Sequence, residues 1–161
     1  MNFLSKAFLP VLFLLSAVGC VDIRHNISND PKYKTNYSIN QLYEIQKPLF
    51  VEKEYSGFAF MQGSLCLEQP GFSSDIPKTA DEYRLGDKEK WPKVLGLIEP
   101  KTEVKIVRLE RQENEICMEF FVKAQILNGV FTNHIVDLAL ISNRANNWVP
   151  IVNPELLELK K

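Results

Sequence analysis

Residues 116–127 alternate with a period of two. Ile116, Met118, Phe120, Val122, Ala124 and Ile126 fall on one side, and Cys117, Glu119, Phe121, Lys123 and Gln125 on the other. Successive side chains of a strand point to opposite faces, so the pattern fits a β-strand and not a helix. It reads as a half-buried strand, apolar face on a core and mixed face toward water. Its backbone groups need neighbours, and the flanking sequence supplies them. Residues 102–111 (TEVKIVRLER) are β-branched and alternating, and Glu113-Asn114-Glu115 makes a turn between the two runs. Beyond the strand, Asn128-Gly129 is a hairpin signal. The return runs over 130–141, where Asn133-His134 divides it into two short arms.

The rest of the chain adds short strands. From Leu42 the pattern turns extended, with Leu49-Phe50-Val51 as an apolar run and 57–68 (GFAFMQGSLCLE) as a loosely alternating one. Gly63 marks a bulge or bend there, and Cys66 shares the more polar face with Ser64 and Glu68. Residues 69–93 are a long irregular piece. Within it Thr79-Ala80-Asp81-Glu82 has capping-box spacing and Gly86 stands as a stop, which predicts a short helix over 80–85. A last strand is expected over 148–152. Asn153-Pro154-Glu155 then reads as the cap and first turn of a short helix reaching Lys160. The fold class is therefore mainly β: a small antiparallel barrel or sandwich of five to seven strands, with one long loop carrying a short helix and a short C-terminal helix.

Chemistry-bearing patterns are sparse. The chain has no His-Glu-x-x-His, phosphate loop, dinucleotide fingerprint or Cys-x-x-Cys. His134 lies three residues before Asp137, which puts the two on opposite faces of an unbroken strand. Asp75, Asp81, Glu82 and Asp87 sit among solvated loop charges. The expectation is a protein that is not an enzyme, with no metal and no cofactor. The long loop is the candidate binding surface, through Phe72, Tyr83 and Trp91, because structureless loops of this length in compact domains are usually functional or disordered. The bland reading of the three rings, as a cap on one end of a barrel, stands beside it.

The N-terminus constrains location. Lys6 precedes an apolar run over 7–18, broken by Pro10 and Ser16 and followed by Gly19-Cys20. That run is shorter than the roughly 20 residues a spanning helix needs, and a charged start, short apolar region and small residues are the pattern of a removed segment. Ala17-Val18-Gly19-Cys20 resembles the lipobox of bacterial lipoproteins. The resemblance implies cleavage before Cys20 and a covalent lipid on its sulfur. It also implies a periplasm-facing, lipid-anchored protein of the cell envelope, where Val21 in place of aspartate favours the outer membrane. The expected organisation is a signal peptide over 1–19, a lipidated tether over 20–41 and a single β domain over 42–161. The tether is polar and rich in Asn and Ser, and a coil of that length spans roughly 25 Å.

With Cys20 assigned to the lipid, Cys66 and Cys117 remain, and the oxidising compartment makes their disulfide the default pairing. Two separate buried thiols are the alternative. Residues 95–106 (LGLIEPKTEVKI) resemble the phrase leading into a strand of bacterial Src-homology-3-like barrels, with Lys101 where that phrase has glycine. Residues 124–131 resemble a hairpin of bacterial lipoproteins of unassigned function.

After residue 19 the chain carries 18 basic and 20 acidic side chains, a formal −2, because Lys6 is the sole charged side chain before it. Such balance argues against nucleic acid as a partner. The functional expectation is a membrane-anchored, non-enzymatic binding module for a periplasmic protein or peptidoglycan. The alternatives are an accessory subunit of an envelope assembly and an inhibitor or immunity-type lipoprotein.

Overall fold

The computed structural model describes residues 23–53, 65–113 and 118–160. The organising pair is β6 (Glu103–Glu113) and β7 (Met118–Ile126), antiparallel with Val104 level with Ile126 and Glu113 level with Met118. β6 is long enough for two strands to share its other edge. β2 (Leu42–Ile45) pairs its first half and β1 (Ile23–Asn26) its second. Beyond β7 come β8 (Ile135–Asp137), β4 (Leu65–Glu68), β3 (Leu49–Lys53) and β5 (Val94–Ile98). β11 (Leu157–Leu159) extends the opposite end by pairing with β2.

Among the described residues these nine strands form one sheet, and β9 (Asn143–Arg144) with β10 (Pro150–Ile151) forms a small ribbon. The mainly β class is thus what the chain adopts. The strands outnumber the expected five to seven, and the sheet is mixed rather than antiparallel, since β4 and β8 run parallel.

The sheet curls around one core. Inward residues of β2, β3, β4, β5, β6, β7, β8 and β11 meet in a single cluster that includes Ile45, Val51, Leu67, Ile98, Ile106, Val122 and Leu157. The turn after β5 hydrogen-bonds back to β2, Lys101 N–H donating to Ile45 O and Ile45 N–H to Thr102 O, both at 2.8 Å. Lys101 holds φ at +70°. This is the left-handed conformation that glycine adopts most readily.

Three sequence expectations need correction. Residues 23–41 are not a tether. β1 belongs to the sheet, and Ile27 and Tyr37 are buried in the core. The polar residues that gave the segment a linker composition are used as local caps and clasps. Ser28 Oγ accepts from Leu109 N–H, Asn36 Oδ1 from Val152 N–H, and the Tyr37 hydroxyl meets Ser142 Oγ at 2.7 Å.

The terminal helix is a strand. Asn153 does cap, accepting from Glu155 N–H at 3.1 Å, and Leu157 N–H closes one turn onto Asn153 O. Isolated helices this short are unstable, whereas extension lets Leu157 bury and pairs the otherwise open edge of β2.

Finally, β7 is not half-buried. Phe121 and Lys123, on its mixed face, are 1% and 6% exposed, while Met118 on its apolar face is 45% exposed. The expected bulge at Gly63 and the turn at Asn114-Glu115 lie outside the described residues.

Candidate functional site

The 69–93 segment is braced. Helix α1 (Ala80–Leu85) starts where the capping box sets it: Thr79 Oγ1 accepts from Glu82 N–H at 3.0 Å, and the Glu82 carboxylate reaches back to Lys78 N–H at 2.7 Å. Gly86 ends it through close approach rather than through an unusual φ. A Cβ there would stand 2.5 Å from Glu82 O and 3.3 Å from the Trp91 ring. The helix turns Tyr83 down onto the outer surface of the sheet, where it packs edge-on against Phe50 at 5.3 Å between centroids. Ile76 and Val94 complete this second, smaller core, and Trp91 lies half-buried against it, 6.2 Å from Tyr83.

Charged pairs clamp the rim. Arg84 bridges Asp81 at 2.7 Å and Glu99 at 2.6 Å, and Lys93 meets Asp75 at 3.0 Å. Of the three rings expected to bind, Tyr83 and Trp91 are thus brought together as packing. Phe72 projects outward, 56% exposed, and Leu85 is also exposed on the same segment.

Beside this segment the outer face of the sheet carries a layer of buried ionisable groups that sequence reasoning missed. Register aligns Glu52 on β3, Cys66 on β4, Asp137 on β8 and Lys123 on β7 in one row across four adjacent strands. All four are buried. Lys123 Nζ stands 3.0 Å from Asp137 Oδ2, and Asp137 Oδ1 accepts from the Ala139 and Val122 amides at 2.8 and 3.2 Å. Burial pushes the Asp137 carboxyl up, while Lys123 and the two amides pull it back down.

In the neighbouring row Phe121 lies under two cations, with the Arg24 guanidinium 5.1 Å and the Lys123 ammonium 5.0 Å from its ring centre. Arg24 is held there by Gln112 at 2.8 Å. The sequence did contain a signal for this layer: a phenylalanine among the charges on the face of β7 that otherwise looked wet.

Glu68, 1% exposed, belongs to the same layer. Level with it on β3 is Phe50, and Glu52 lies diagonally across the β3–β4 pair, opposite Cys66. Neither Glu68 oxygen accepts a hydrogen bond, because an ionised Glu68 beside another carboxylate meets no donor. Protonated, Glu68 can donate to Glu52. Burial first, then the hydrogen bond and charge of Glu52 and the charge of Asp75, push its pKa up to about 8 against the opposing pull of Lys93. Among the described residues no three His, Cys, Asp or Glu side chains are grouped to hold an ion.

The remaining expected residues separate. Cys66 is buried against Phe121. Cys20 and Cys117 lie outside the described residues, and the expected disulfide with them. His134 is exposed, its Nδ1 3.1 Å from Phe131 O, whereas Asp137 is buried with Lys123.

The fold and these two neighbouring surfaces define a small mainly β protein with a braced peripheral segment and a buried polar layer behind the core. Comparison with known protein families, curated proteins and solved structures finds no match to this chain.

Proposed function

We propose that the protein is a lipid-anchored component of the bacterial cell envelope that binds a periplasmic protein partner without catalysing a reaction. The observation that carries the anchor is the apolar run ending in Ala17-Val18-Gly19-Cys20. Cys20 bears the lipid and takes no part in binding. The partner surface is the braced 69–93 segment. Its support is the contrast between rigid underpinning, with Tyr83 and Trp91 packed on Phe50, and the exposed apolar side chains of Phe72 and Leu85. A preorganised apolar surface loses little conformational entropy on binding, and exposed aromatic anchors are the usual centres of such contacts. A Cys66–Cys117 disulfide is part of the same proposal, as the pairing an oxidising compartment favours.

Crosslinking in intact envelopes followed by capture tests the binding surface. The wild type is expected to retain one protein that the Phe72→Ala/Leu85→Ala double variant loses, with unfolding midpoints unchanged. A partner captured equally by both would move the binding surface elsewhere. Capture of peptidoglycan alone would replace the protein partner by the wall.

A further inference from the structure

The place where the chain enters the sheet orients the domain on its membrane. Ile23, the first residue of β1, is level with Glu113 at the end of β6, and Glu113 is level with Met118 at the start of β7. The chain therefore joins the domain at the end of the sheet where β6 passes into β7. Two residues, Val21 and Asp22, lie between Cys20 and Ile23, and the three Cα–Cα steps reach at most about 11 Å even when fully extended. The roughly 25 Å of free coil that a tether over 20–41 would provide does not exist, because residues 23–26 pair with β6 and Ile27 and Tyr37 are buried in the core.

We infer that the β1–β6–β7 end of the sheet rests on the bilayer that holds the Cys20 lipid. This rests on the lipid-anchor reading above and goes beyond it by naming the face that meets the headgroups. The occupant is the bilayer itself, since any molecule placed between it and this end would have to fit within that short reach.

The side chains at this end suit such a contact. Met118 is 45% exposed despite its place on the apolar face of β7. Val149 and Pro150 line a crevice with Ile27, Phe120 and Phe121. That sets the ribbon carrying Trp148, itself 75% exposed, against the same half of β7. Exposed methionine and tryptophan are at home among headgroups, where an apolar body and a wet rim are both satisfied. The charges nearby are mixed: Arg24 and Arg111 against Glu113 and Glu119, with Arg111 paired to Glu113. Contact therefore depends on the anchor and on apolar burial, with no requirement for anionic lipid.

The test uses the lipidated full chain reconstituted in phosphatidylcholine vesicles whose acyl chains are brominated near the headgroup. Met118→Trp reports the proposed face. Val130→Trp, at an 89% exposed position in the turn beyond the other end of β7, reports the far side. The nine residues of β7 put roughly 30 Å between the two ends. After subtraction of the parent signal, the indole introduced by Met118→Trp is expected to be quenched about twofold or more. The one introduced by Val130→Trp should be quenched scarcely at all, since interfacial side chains sit only roughly 5–10 Å into the bilayer. A flexible Gly/Ser linker of about 20 residues inserted between Asp22 and Ile23 should leave flotation with the vesicles intact and abolish the difference. Flotation with equal quenching at both positions would overturn the orientation and leave the anchor standing. Failure to float would overturn the anchor and the orientation with it.

Discussion

Replacing Glu68 by glutamine should change how stability depends on pH, in a direction the geometry dictates. In the folded protein the Glu68 carboxyl is buried beside Glu52 and holds its proton up to about pH 8, against an ordinary value of 4.5. Between those values the folded state keeps a proton that the unfolded chain has released. Stability from this group is complete below pH 4.5 and is lost as pH rises through about 8. The slope is at most about 1.4 kcal/mol per pH unit, and the loss accumulated by pH 8–9 comes to roughly 3–5 kcal/mol.

Glu68→Gln keeps the shape, keeps a donor for Glu52 and removes the titration. Urea unfolding followed by circular dichroism at half-unit steps from about pH 4.5 to 9 measures both curves, with the m-value checked for constancy. The variant should match wild type within about 1 kcal/mol near pH 5 and exceed it by several kcal/mol at about pH 9. Burial raises Asp137 as well and tilts both curves in the same sense, so the diagnostic is the difference between the proteins. Parallel curves would refute the reasoning and mean that Glu68 meets solvent or a donor when ionised.

Three further outcomes follow from the same layer and its surroundings. Lys123→Met strands a fully buried Asp137 and should lower stability by about 3–5 kcal/mol. The double change Lys123→Met/Asp137→Leu should recover much of that loss in the same urea assay. Tyr83→Ala removes the ring on which the small core under the 69–93 segment closes and should cost about 3 kcal/mol or more, with limited proteolysis then cutting inside that segment before the sheet unfolds. Lys101→Gly relieves a left-handed backbone and should raise stability by roughly 0.5–1 kcal/mol. A destabilised glycine variant would mean that the lysine side chain makes a compensating contact.

Local signals were legible where the physics is local. The capping box at Thr79 and the stop at Gly86 set α1 to its ends, and the alternation of β6 and β7 set the central pair. Sequence could not reveal what meets the second face of β7. Its charges read as solvated, and only the folded register shows Lys123 opposite Asp137 and beside Phe121. The N-terminal segment misled for a related reason. Ser28 and Asn36 look like linker residues because their roles, accepting from Leu109 and Val152, depend on partners far along the chain. At the C-terminus Asn153 capped as expected, but one helical turn could not outweigh the open edge of β2. Phe72, Tyr83 and Trp91 are alike in residue type, and burial divides them into two rings that pack and one that projects.

The lipid anchor depends on Cys20. Mass spectrometry of the N-terminal peptide from protein extracted from bacterial envelopes tests it directly. The expected result is a chain beginning at Cys20 that carries a thioether-linked diacylglyceryl group, and a Cys20→Ala variant retained as the uncleaved precursor. A mature chain beginning at or near an unmodified Cys20, or one that keeps residues 1–19, would contradict it.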